Sequence, residues 1–152
     1  MARYSAAGAA GAASTTAATA GLIKVDNPAS TTMAAAKIYE WSVGPAANSA
    51  DETYGVRMKR QSTAGTWTAV TARPLDAKLG AAVTTAGIAS TAAGTAGVTL
   101  GEWGYHMRGG YRWVAIPGGE LVVPLTFSNG ILLEYFFAQG TAVQNASLMF
   151  DE

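Results

Sequence analysis

Apolar and polar residues alternate along much of this chain with the period of a β-strand. The segment YGVRMKR (54–60) is the clearest example, because Tyr54, Val56 and Met58 alternate with glycine and basic residues. Successive side chains of a strand point to opposite sides of its sheet. This segment therefore predicts a strand with one buried and one solvated face.

Other segments have strand character because β-branched, aromatic or alternating residues lie between Gly, Pro and Asn turn signals. They are LIKV (22–25), KIYEWSVG (37–44), TWTAV (66–70), EWGYHMR (102–108), YRWVAI (111–116), ELVV (120–123), ILLEYFFA (131–138) and SLMF (147–150), with LTF (125–127) as a further candidate. The run 131–138 is apolar on both faces, which predicts a central strand. These short strands, without an amphipathic helix, predict an all-β, antiparallel β-sandwich.

Two faces are predicted in more detail. In 37–44, Tyr39, Trp41 and Val43 are expected on one face and Ile38 on the other. In 102–108, the apolar face is formed by Trp103, Tyr105 and Met107, so that His106 is expected at the surface or at a subunit contact.

Two regions consist almost entirely of small residues. Residues 5–21, SAAGAAGAASTTAATAG, carry no charge and no aromatic side chain. Ordering a residue costs about 1–2 kcal/mol of conformational entropy, which such a segment cannot recover by its own burial. We therefore expect an extended N-terminal arm at 1–21, with a short helix as the alternative, beside a sandwich domain at 22–152. Residues 77–101 are expected to form a long exposed loop.

Composition excludes several classes of function. Only 13% of the residues are charged, 10 basic residues balance 10 acidic ones, and there is no cysteine. The chain therefore has no overall basic field for nucleic acid, and it has neither a membrane-spanning run nor a phosphate-binding glycine motif. One histidine and two acidic pairs, 51–52 and 151–152, are interpreted as surface groups. No catalytic, cofactor or metal site is predicted, and the chain is not expected to be an enzyme.

Basic and aromatic side chains are the remaining candidates for binding. Arg57, Lys59 and Arg60, with Arg73, form the one basic patch, which is either a solvated strand face or a contact for an acidic protein partner. The aromatic residues are interpreted as core, and a sugar-binding platform is the alternative.

The order of four motifs resembles a group of small tailed-bacteriophage virion proteins with a jelly-roll fold. The motifs are KIYEWSVGPA, YGVRMKRQSTAGTWTAVTARPLDA, YRWVAIPGGELVVP and the final SLMFDE, and the resemblance spans about 22–152. It implies a jelly-roll-like sandwich and no catalytic residue.

In function, the resemblance implies a capsid decoration, or cement, protein. Such a protein is commonly a homotrimer that binds the major capsid protein on the outer capsid surface of the virion. Arg3 and Tyr4, the only large side chains near the start of the arm, are then the expected shell contacts. The alternative is a receptor- or glycan-binding jelly-roll module of a phage tail or head fibre.

Overall fold

The computed structural model of the chain describes residues 1–12, 20–28, 32–46, 51–92 and 94–152. These residues form twelve strands and no helix. The strands are β1 (Arg3–Ala12), β2 (Gly21–Asp26), β3 (Lys37–Pro45), β4 (Thr53–Gln61), β5 (Thr66–Val70), β6 (Arg73–Pro74), β7 (Thr85–Ala92), β8 (Ala96–His106), β9 (Tyr111–Val114), β10 (Leu121–Val122), β11 (Gly130–Ala138) and β12 (Val143–Asp151).

Two antiparallel six-stranded sheets pack against each other, which confirms the predicted all-β sandwich. Sheet 1 has the order β10-β3-β12-β1-β6, and β9 also pairs with β3. Sheet 2 has the order β5-β7-β2-β11-β4-β8. The predicted central position of the 131–138 strand is confirmed, because β11 lies between β2 and β4. The jelly-roll connectivity expected from the resemblance stays a prediction.

Large apolar side chains from the inner faces of both sheets fill the core. Trp41, Leu148 and Phe150 from sheet 1 meet Met58 and Leu133 from sheet 2, and all five are fully buried. The predicted alternation of β4 is confirmed, and so is the apolar face of β8 with the following Met107.

The first strand corrects the predicted boundary at residue 21. Residues 3–12 of the expected arm form β1, which lies inside sheet 1 between β12 and β6. Its pairing with β12 runs from Arg3 opposite Asp151 to Ala12 opposite Val143. This part of the segment is therefore an integral strand of the sandwich, and residues 13–19 lie outside the described part.

Small side chains let β1 approach the opposite sheet closely. Ala6 and Ala10 are buried on its inner face. A β-carbon built on Gly8 of the same face would lie 2.9 Å from Cδ1 of Ile88 in sheet 2, closer than such contacts normally come. The Ala/Gly composition therefore fits a position where the two sheets are close, and the entropy cost of ordering is offset by backbone pairing and packing.

The expected long loop at 77–101 is wrong over most of its length. Its second half contains β7 and the start of β8, and β7 lies inside sheet 2 between β5 and β2. Ala86 and Ile88 of β7 face the core. These residues contribute a strand although their hydrophobic pattern is weak, because their neighbours supply the large side chains.

Two local predictions also need correction. Ile38 is fully buried and Tyr39 is not, because the pairing of β3 with β12 shifts between Ile38 and Glu40 and leaves Tyr39 as an extra, bulged residue. A bulge of this kind reverses the alternation on one side of it. The segment 125–127 is not a strand, since it forms turns that lead to β11.

Sheet 2 also carries a buried ion pair on its outer face. Lys24 Nζ lies 2.7 Å from Asp26 Oδ2, and both side chains are less than a tenth exposed. Thr85 Oγ1 donates to the other carboxylate oxygen of Asp26 at 2.8 Å, and Lys24 Nζ also donates to the carbonyl oxygen of Ala64. The charges are thus matched by partners, as buried charges must be.

The position of β1 can be tested with neighbouring alanines that face opposite sides. Ala6→Glu should lower the free energy of unfolding by about 3–5 kcal/mol, because it places an uncompensated charge in the core. Ala7→Glu, on the exposed face of the same strand, should change it by less than about 1 kcal/mol. Urea unfolding followed by tryptophan fluorescence measures both values, and equal values would contradict an internal β1.

Candidate functional site

The single histidine lies on the surface, as predicted. His106 ends β8, and its Nε2 lies 3.7 Å from Oδ1 of Asp51, whose Oδ2 accepts a hydrogen bond from Arg108 Nη2 at 3.0 Å. Within the described ranges, no group of three or more His, Cys, Asp or Glu side chains is placed to hold a metal ion. The same residues include no helix long and apolar enough to cross a membrane.

The predicted basic patch is partly neutralised. Arg57 Nε and Lys59 Nζ, on the outer face of sheet 2, both contact Glu134 Oε1 on the adjacent β11, at 2.7 and 3.1 Å. Arg60, on the same strand, is exposed. Arg57 and Lys59 thus stay together, but a shared carboxylate reduces their field, and Arg60 lies on the other side of the strand.

The other three predicted binding residues lie elsewhere. Arg73 is on β6, at the edge of sheet 1, where it pairs with Ser5. Arg3 is exposed and its guanidinium carbon lies 5.5 Å from the ring centroid of Tyr39. Tyr4 is only 5% exposed and stacks on Phe150 with the ring centroids 5.6 Å apart. Tyr4 is therefore a core residue, and the six predicted residues do not form one surface.

Glu152, in the second acidic pair, forms hydrogen bonds that link separate parts of the fold. The Glu152 carboxylate accepts the backbone N–H of Val83 at 2.9 Å, the N–H of Thr84 at 2.8 Å and the Thr84 hydroxyl. The backbone of Glu152 also exchanges two hydrogen bonds with Ala2, each 2.9 Å. Glu152 therefore joins the loop before β7 to the β1–β12 pair, so its interpretation as a solvated group is corrected.

Removal of this carboxylate should destabilise the fold. Glu152→Ala leaves the N–H of Thr84, a residue only 4% exposed, without its acceptor, which should cost about 1–3 kcal/mol of the free energy of unfolding. Glu120→Ala is the matched control, because the Glu120 carboxylate accepts the N–H of Gly118 in an exposed turn and should contribute less than about 0.5 kcal/mol. Chemical unfolding measures both. Equal values would show that the Glu152 contacts are not formed in solution.

Tryptophans occupy the core and the sheet edges. Trp41 is fully buried, and its ring centroid lies 5.0 Å from that of Trp103, which lies 6.5 Å from Trp113. Trp67 covers Gly21 and Gly87 on the outer face of sheet 2, where a β-carbon on either glycine would meet its ring. All four tryptophan side chains are at least half-buried, so they do not form the open platform that a sugar-binding site needs.

Three tyrosines form a buried cluster at one end of the sandwich. The Tyr54 ring centroid lies 5.9 Å from that of Tyr105 and 5.8 Å from that of Tyr135. Tyr105 donates its hydroxyl hydrogen to Gln144 Oε1, and Tyr54 donates to the Glu52 carboxylate. Burial raises the pKa of all three phenols, and burial together with the bond to Glu52 raises the pKa of Tyr54 to about 12.

This cluster predicts a loss of stability in alkali. Unfolded tyrosine ionises near pH 10, whereas the folded cluster keeps its protons, so above about pH 10 the unfolded state binds fewer protons than the folded state. The free energy of unfolding should then fall as pH rises, by up to about 1.4 kcal/mol per pH unit for each tyrosine. Urea unfolding from pH 9 to 12 measures the slope. A flat profile, with all phenols ionising in the folded protein, would contradict it.

Five exposed apolar side chains lie between residues 114 and 127, on β9, β10 and the turns that follow these two strands. We name this set the apolar edge segment; it comprises Val114, Ile116, Val122, Leu125 and Phe127, which are 52%, 77%, 45%, 58% and 45% exposed. β9 and β10 pair with successive parts of β3, with Val114 opposite Glu40 and Val122 opposite Lys37. Both valines face away from the core, so the segment presents apolar groups along one edge of the sandwich.

A nearly neutral surface adjoins that edge. A groove of about 820 Å³ on the outer face of sheet 1 is lined by small side chains such as Ala7, Ser42 and Ser147. The two serine hydroxyls are hydrogen-bonded to each other at 2.7 Å. Arg112 borders the groove, and its two hydrogen bonds to Glu40, at 2.7 and 2.8 Å, lower the pKa of that carboxyl. This groove is therefore low in net charge.

Comparison with known proteins adds no relative. No protein-family model matches the sequence, no curated protein matches it, and no solved structure matches its fold. The function must be inferred from the chain's own fold and surface.

Proposed function

We propose that the chain is a structural protein of a tailed-phage virion, a decoration protein that binds the major capsid protein on the outside of the shell and stabilises the contacts between capsid subunits. The resemblance over 22–152 and the β-sandwich support this class. As in the implied family, the proposed assembled form is a homotrimer.

The apolar edge segment is the observation that carries the proposal. Large exposed patches of apolar side chains are rare on free protein surfaces and usually mark sites of contact with another molecule. Val114, Ile116 and Val122 fall within YRWVAIPGGELVVP (111–124), one of the four motifs of the resemblance. The motif and the exposed apolar surface thus coincide, and we assign the shell contact to this segment.

The charge distribution supports a protein partner. Equal numbers of basic and acidic residues, with Arg57, Lys59 and Arg112 paired to carboxylates, leave little field to attract nucleic acid. The neutral groove of sheet 1 next to the segment can approach another surface without desolvating many charges. Arg73, on the opposite edge strand of that sheet, and Arg3, on the neighbouring strand β1, remain candidates for peripheral contacts with the shell.

Stabilisation of the shell would follow from binding linkage. A protein that binds the assembled lattice and not the free capsid subunits stabilises the lattice by about 2.7 kcal/mol per site when its concentration is 100 times the dissociation constant. A trimer binds through three copies at once, which raises its effective affinity further.

The test is binding to empty capsids of the phage whose genome encodes the chain. Cosedimentation should saturate at a fixed number of copies per capsid, and Ile116→Asp should weaken binding at least about tenfold, because its apolar contact is lost and a charge is desolvated. Val98→Asp is the matched control, since Val98 is 69% exposed on sheet 2, away from the segment, and should bind like the unchanged protein.

Other results would contradict the proposal or its contact. Absence of saturable binding to these capsids would overturn the decoration function. Equal loss in both variants would overturn the assignment to the apolar edge segment. Saturable binding to a glycan without capsid binding would favour the receptor-binding alternative.

A further inference from the structure

Strand β8 forms a long free edge of sheet 2. It pairs with β4 on one side, and no strand in the described residues pairs with its other side. Its pairing with β4 is regular over Gly101–His106 and shifted before that. The opposite edge strand of this sheet, β5, is shorter and has two register shifts. A regular, unshifted edge of six residues is therefore available at 101–106.

The backbone groups on this edge can be identified from one hydrogen bond. Met107 N–H donates to the Glu52 carbonyl oxygen at 2.9 Å. Because hydrogen-bonding direction alternates along an antiparallel strand, the backbone groups of Trp103 and Tyr105 also point to β4. Those of Glu102, Gly104 and His106 point away, although the His106 carbonyl oxygen accepts the N–H groups of the following turn.

Glu102 is the only charged side chain on this six-residue edge, which therefore has little protection against pairing. Natural edge strands are commonly blocked by lysine, proline or bulges. The segment GEWGYH (101–106) contains neither lysine nor proline, and Glu102, Gly104 and His106 are all exposed. An unprotected regular edge is a template for another strand.

We propose that β8 pairs with β8 of a second copy of this chain, antiparallel, about a two-fold axis at Gly104. Gly104 then faces its own counterpart, and Glu102 faces the partner's His106 on each side of the axis. The outward backbone groups match, because a two-fold pairing centred on an outward residue joins outward groups to outward groups.

The side chains that face each other favour this register. An axis at Glu102 would place two carboxylates opposite each other, which is unfavourable across strands. An axis at His106 would make both central hydrogen bonds depend on the carbonyl oxygen already used by the turn, whereas in the Gly104 register that oxygen faces only the outer Glu102 N–H groups. The axis at Gly104 brings each carboxylate to an imidazole and puts a residue without a side chain at the closest approach.

The outer face beside the axis is also apolar. Gly104 and its partner on β4, Gly55, form the floor of a groove of about 450 Å³ that is bordered by Phe136 and Phe137. These two phenylalanines are 40% and 49% exposed. Pairing about Gly104 would bring the grooves of the two copies side by side.

The interface is separate from the apolar edge segment, which lies in sheet 1. It therefore does not depend on the proposed shell contact. If both contacts form, the two-fold edge would link neighbouring trimers, so that decoration subunits would be joined to one another as well as to the shell.

Cysteine cross-linking tests the register directly. The natural chain has no cysteine, so Gly104→Cys introduces a single thiol. A hydrogen-bonded antiparallel pair has Cα atoms about 5.5 Å apart, within the range of a disulfide. A β-carbon at Gly104 has its nearest neighbour at 4.0 Å, so the substitution fits. Mild oxidation should convert most of this variant to a covalent dimer.

Gly80→Cys is the matched control, because its β-carbon would have no neighbour within 4 Å and it lies in an exposed turn. It should remain largely uncross-linked at the same concentration. Equal slow cross-linking of both variants would overturn the edge pairing. Rapid cross-linking of Glu102→Cys, with none at Gly104→Cys, would overturn the register.

A charge exchange provides an independent measurement. His106→Glu places two carboxylates opposite each other twice in the dimer and should raise its dissociation constant by about tenfold in sedimentation equilibrium. The double variant Glu102→Lys with His106→Glu should restore dimerisation, since each lysine then faces a carboxylate. Both variants contain His106→Glu, so its effect on the contact with Asp51 is the same in both. A double variant that still dimerises weakly would therefore contradict the proposed pairing.

Discussion

The backbone ladder between the first and the last strand is the interaction on which the rest of the structure depends. β1 has almost no large side chain with which to hold itself in place, so its order comes from hydrogen bonds to β12 and from close packing on sheet 2. In return, β1 joins β12 to β6, and without it the edge at Arg73 would have no attachment to sheet 1. The smallest residues of the chain thus occupy an internal position.

The sequence predicted those strands whose large side chains alternate, and it missed those whose side chains are small. Met58 on β4 and Leu133 on β11 identify a buried face by themselves. β1 and β7 contain mainly Ala, Gly, Ser and Thr, which give little contrast between the two faces, so their strand state depends on neighbours distant in sequence. The bulge at Tyr39 was equally hidden, because an extra residue becomes visible only when the partner strand is known.

The surface was less predictable than the core for a related reason. Arg57 and Arg73 were predicted to form one patch, but they lie in different sheets, because β4 belongs to sheet 2 and β6 to sheet 1. Glu134, distant in sequence from both, neutralises part of the patch. The sequence predicted strands and turns for the apolar edge segment. Only the exposure of Ile116 and its neighbours in the structure indicates a contact surface there. Composition had shown no overall basic field for nucleic acid, without indicating where a partner binds.

The pairing of β1 with β12 also has a consequence for synthesis of the protein. β1 is synthesised before its partner at 143–151, so the strand cannot pair with β12 until the intervening chain has been made. An unpaired segment rich in Val, Ile or Phe would promote aggregation with other nascent chains. Alanine, glycine and serine make β1 a poor nucleus for aggregation during this delay. The small-residue composition that makes β1 hard to predict from the sequence thus also limits its aggregation until β12 has been synthesised.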